Sequence, residues 1–73
     1  MNTKAKFGKK VRILRLKLGV SQEKLGELSD IDRTYISNIE SGNRNPSLLT
    51  IEKLANALKI NIKELFDDKN QYK

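Results

Sequence analysis

The stretch QEKLGELSDIDRTYISNIESG, Gln22–Gly42, ends in a segment too polar to be core and too regularly spaced to be loop. At about 100° per residue, Tyr35, Ile36 and Ile39 share one side of a helix running from Arg33 to about Ser41. Arg33, Thr34, Ser37 and Asn38 share the other side. An exposed helix face that needed only solubility would carry Lys and Glu, which keep helix propensity high, rather than Thr, Ser and Asn. The base edges of a DNA major groove would account for the outer row. Arg pairs bidentately with guanine, Asn with adenine, and Ser or Thr with several edges. Taken alone, an exposed helix of unusual composition accounts for it as well.

The preceding residues narrow the choice. QEKLGEL forms a second short helix, and Gly26 stands where the two axes approach. The turn between them needs a residue that tolerates positive φ, and Asp30 is the candidate. Ile31, Ile36 and Ile39 then fill the wedge, with Leu25 opposite. Gly26, Asp30, Ile31, Ile36 and Ile39 together meet the requirements of a helix-turn-helix motif.

Working outward, 73 residues allow one small domain with one modest core. The absence of cysteine excludes disulfides and thiolate chemistry, and the absence of histidine removes the commonest general base and metal ligand. Neither a cofactor nor a metal is expected. No apolar run approaches membrane-spanning length and MNTKAKFGKK lacks the apolar stretch of a signal peptide, so a soluble cytoplasmic protein is expected. The net charge is +6, and residues 1–20 hold seven Lys or Arg with no acid. Such a flank either solubilises or meets a polyanion, and charge alone does not choose between them.

The rest of the chain reads as helices. Phe7, Val11, Leu14 and Leu18 place one face on a first helix over 3–18, ended by Gly19. Ser21 caps the second, 22–29, with Leu25 and Leu28 inward, and Asp32 caps the third, 33–41, stopped by Gly42. SGNRNP is the one clear loop. A fourth helix, 48–58, turns Leu48, Ile51, Ala55 and Leu58 inward, with Leu54 also in the core. Asn61 and Glu64 suggest a capping box for a fifth, 62–67, before a frayed tail, 68–73.

The segment LGVSQEKLGELSDIDRTYISNIESGNRNPSLLTIEKLANAL resembles the Cro and phage-repressor (xenobiotic-response-element) family. The likeness runs from about Phe7 to Phe66, through Gly19, Ser21-Gln22, Leu25, Ile36, Ile39-Glu40, Gly42, Pro46-Ser47 and Leu54-Ala55. DRTYISNIESGNRNPS is further similar to the controller proteins of restriction–modification systems, small homodimeric regulators that bind operators ahead of their own gene and the endonuclease gene. The sequence departs from the pattern at Asp30, where many relatives have Gly, and at Gly26, where Ala is usual.

The resemblance implies an all-α, λ-repressor-like domain, here a compact five-helix bundle, with no catalytic residues. It implies base reading by Arg33, Thr34, Ser37 and Asn38, with Tyr35 either packed at the helix edge or reaching a phosphate or thymine. Gln22, Asn43 and Arg44 are implied phosphate contacts, and Arg15 with Glu40 a structural ion pair.

One short helix reads too few base pairs to find an operator, so a homodimer on near-palindromic double-stranded DNA is expected. Ile60, Ile62, Leu65 and Phe66 exceed what a terminal helix needs to seal so small a domain, and they are the expected dimer interface, although some must close the core. Glu23 and Glu27 are candidates for a contact with RNA polymerase, or are plain surface. Two neighbouring functions stay open on sequence grounds: the DNA-binding antitoxin of a toxin pair and a small phage-type repressor.

Overall fold

The computed structural model describes residues 2–67, and the expected frayed tail lies outside them. Four α-helices follow one another: α1 (Thr3–Leu18), α2 (Gln22–Ser29), α3 (Arg33–Glu40) and α4 (Leu48–Leu58). A side chain caps each N-terminus. Asn2 accepts from the Ala5 N–H at 2.8 Å, Ser21 from Lys24 at 2.9 Å, Asp32 from Thr34 at 3.0 Å and Ser47 from Thr50 at 3.1 Å. Each cap satisfies an amide that has no partner inside its helix. Left-handed residues end three of the helices: Gly19 (φ 82°), Asp30 (φ 58°) and Lys59 (φ 62°).

The fifth helix is not an α-helix. Ile62–Leu65 forms a 3-10 turn. Its bonds run from Glu64 N–H to Asn61 C=O and from Phe66 N–H to Lys63 C=O, both 3.0 Å. Four residues cannot repay the nucleation of an α-helix, and the tighter i→i+3 pattern closes within that length. The Glu64 carboxylate still accepts from the Asn61 N–H, at 3.2 Å.

The core joins all of these elements: Phe7 and Val11 of α1, Leu25 of α2, Ile31 of the turn, Ile36 and Ile39 of α3, Leu54, Ala55 and Leu58 of α4, and Leu65. Leu14 and Ile51 are half-buried against it. Two expected inward residues lie outside. Leu28 is 49% exposed, because an α2 this short turns only Leu25, Gly26 and Ser29 inward. Leu48 is 78% exposed, because the first turn of α4 runs beyond the packed core and buries only Thr50.

Two glycines set the distances between helices. A Cβ on Gly26 would lie 2.7 Å from the Ile31 carbonyl oxygen, so α2 and the turn approach backbone to backbone. Gly8 of α1 is tighter still, since a Cβ there would meet the Ile39 carbonyl oxygen at 2.0 Å. The backbone of α3 thus rests directly on α1.

Candidate DNA-recognition surface

Burying Ile36 and Ile39 against α1 and α2 leaves the opposite side of α3 facing outward. Arg33, Thr34 and Ser37 are exposed on it and Asn38 is half-exposed. No hydrogen bond ties down the side chains of Arg33, Thr34, Ser37 or Asn38 among the described residues, so their donors and acceptors are free for a ligand. The Asn38 carbonyl accepts from the Ser41 hydroxyl at 3.1 Å and from the Asn43 N–H at 2.9 Å, which folds the loop after α3 back on the helix. Asn43 also donates its amide to the Ser41 hydroxyl, at 3.1 Å.

Behind the reading face lies a buried ionic clamp. Arg15 donates to Glu40 through Nε (2.7 Å) and Nη2 (3.0 Å), and through Nη1 to the Val20 carbonyl (2.9 Å). The paired side chains retain only 9% and 4% of their exposure. The fork geometry of guanidinium on carboxylate fixes both distance and angle, so α1 and the end of α3 are locked together. Gln22 joins this clamp by donating Nε2 to Glu40 at 3.0 Å. Its amide is therefore held at the N-terminus of α2, where the helix dipole favours a phosphate.

At the other end of the surface, the Arg44 guanidinium lies 4.2 Å over the Tyr35 ring, a cation–π stack. Hydrogen bonding from the Thr50 hydroxyl holds the Tyr35 phenol below its ordinary pKa of 10, against burial, and the Ser47 backbone and the Arg44 charge act in the same direction. Tyr35 thus both packs at the helix edge and keeps its hydroxyl among polar groups.

The cationic flank is less uniform than its sequence. Arg15 is consumed by Glu40, and the stem of Lys10 is buried at 6% exposure. The proposed dimer residues separate in the same way. Leu65 is 1% exposed and closes the core, and Ile60 packs partly against it. Ile62 and Phe66 remain exposed. Phe66 leans on Phe7, with ring centroids 5.4 Å apart, whereas Ile62 joins Leu48, Leu49 and Glu52 around a shallow apolar depression. Sequence reasoning missed Leu48 and Leu49 in that role because periodicity assigned Leu48 inward. It also missed Thr50, although its spacing from Ser47 marks a cap, and Gly8, whose only signal was a lone glycine inside a helical pattern.

Among the described residues no cluster of acidic side chains could hold a metal, and no helix is long and apolar enough to cross a membrane.

A helix-turn-helix family model matches residues 11–65. The chain belongs to that family. Two curated relatives of this helix-turn-helix protein are control proteins. C.BamHI of Bacillus amyloliquefaciens is 52% identical over 67 residues, 90% of this chain and 83% of the relative. C.MunI of a Mycoplasma species is 47% identical over 66 residues, 89% of each. Among solved structures, the restriction–modification controller protein C.AhdI from Aeromonas hydrophila superposes with a TM-score of 0.84 at 52% identity, over 85% of this chain and 94% of that one.

Proposed function

We propose that the chain is the controller protein of a restriction–modification system, a sequence-specific regulator of transcription that binds double-stranded DNA and is not an enzyme. The observation that carries this reading is the row Arg33, Thr34, Ser37 and Asn38, presented outward on a helix whose inner side is fixed by Gly8 and by the Arg15–Glu40–Gln22 clamp. Relatives of half identical sequence that are control proteins support the biological setting.

In this mechanism α3 enters the major groove. Arg33, Thr34, Ser37 and Asn38 meet base edges, while Gln22, Asn43 and Arg44 hold phosphates on either side. The described domain measures 30 Å at its longest, shorter than the separation of about 34 Å between half-sites one helical turn apart. Reading two half-sites therefore takes two copies. Leu48, Leu49 and Ile62 form the exposed apolar surface suited to that association, with Phe66 beyond its edge. Glu23 and Glu27, both exposed on α2, remain available to RNA polymerase. The regulator would act in the cytoplasm, on the nucleoid.

Selection of bound duplexes from a random pool tests the reading. The expected result is a near-palindromic site with its half-site centres about one helical turn apart. Equal binding of selected and scrambled duplexes would refute it.

A further inference from the structure

Thr50 is the one residue of the first turn of α4 that is buried, at 9% exposure, and it carries a hydroxyl. Its surroundings fix the direction of that hydroxyl. Ser47 Oγ accepts the Thr50 backbone N–H at 3.1 Å as the helix cap. The Ser47 hydroxyl proton is in turn directed to Thr50 Oγ1, at 3.0 Å. Thr50 Oγ1 has thus accepted from Ser47 and retains its own proton to give, and the group it faces is the Tyr35 phenol. A phenol oxygen that accepts from one side turns its own proton to the other. That other side is the outer surface, where Arg44 lies 4.2 Å over the same ring.

We infer that Thr50 is a positioning residue for DNA recognition: through the relay Ser47–Thr50–Tyr35 it turns the Tyr35 hydroxyl outward as a donor to an acceptor on the duplex and steadies the ring that carries Arg44. The inference rests on the DNA-reading proposal above. Thr50 needs no contact with DNA, and its effect passes entirely through Tyr35. The recognition surface then has two supports of different kinds. The Arg15–Glu40 clamp fixes the backbone of α3, and the hydroxyl relay fixes one side chain on it.

A double-mutant cycle tests this. Thr50→Val removes the hydroxyl and keeps both the β-branch and the capped backbone N–H. It is expected to weaken operator binding about fivefold, the loss that one hydrogen bond carries, with binding to scrambled duplex and thermal stability nearly unchanged. Thr50→Ser is expected to restore operator binding. In a Tyr35→Phe background Thr50→Val should cost nothing further, because the relay has lost its end. The proposal is overturned if Thr50→Val binds like wild type, if operator and scrambled duplex weaken alike, or if the two substitutions act additively.

A second reading keeps the test open should Val not be accommodated. In a Tyr72→Phe background, which leaves Tyr35 as the sole tyrosine, absorbance titration should show Tyr35 ionising at higher pH in Thr50→Ala than in Thr50→Ser. Equal titration curves would overturn the relay. Wild-type protein that fails to discriminate operator from scrambled duplex would refute DNA reading itself, a result distinct from loss of the Thr50 effect alone.

Discussion

Arg33 and Gln22 lie at neighbouring helix starts and are predicted to fail differently. Arg33 is exposed and free to fork onto a base edge, so Arg33→Ala should relax preference at one base pair per half-site and cost about 1–3 kcal/mol per contact. Gln22 is tied to Glu40 beside a helix N-terminus, so Gln22→Ala should weaken selected and scrambled sequences to the same extent. Binding assays on both duplexes separate the two patterns. Glu40→Ala acts on the fold instead. It leaves the buried Arg15 guanidinium without its carboxylate, which costs about 3 kcal/mol. In a domain of this size that loss lowers Tm by roughly 10–20 °C, readable by circular dichroism. The outward row of α3 was legible because exposed Ser, Thr and Asn are poor helix formers and need another reason to be there. Thr50 was not, since its partner Tyr35 lies a loop away and nothing in linear spacing joins them.

The elements were set largely by local chemistry. Asn2, Ser21, Asp32 and Ser47 each stop the backbone where their side chains can cap it, which is why four helix boundaries could be placed from sequence. The final segment misled because its capping box is real while its length is insufficient. Gly8 was illegible for another reason: the carbonyl it accommodates belongs to Ile39, far along the chain, and only the folded molecule brings them together. Two substitutions test this level. Asp30 sits at φ 58° in the turn between α2 and α3, so Asp30→Gly should relieve left-handed strain and raise stability by up to about 1 kcal/mol, a gain of several degrees in a thermal melt. Gly8→Ala should do the opposite. Its methyl group meets backbone rather than a yielding side chain, so α1 and α3 must separate and both stability and operator binding should fall.

For the whole molecule, association and charge govern behaviour. Leu49→Glu places a carboxylate in the apolar surface shared with Leu48 and Ile62. Sedimentation should then show monomer at concentrations where wild type is dimeric, with cooperative operator binding lost and the fold intact. The wild-type dimer should release counterions from about six to eight phosphates, which gives a log–log salt slope of about −5 to −7. Gly8 carries a last consequence. With the third helix seated on the first, main chain against main chain, the reading head has no slack with which to follow an ill-fitting groove. The polynucleotide must do the yielding. Target choice should therefore extend to untouched base steps between the half-sites, favouring spacers that flex cheaply over stiff ones.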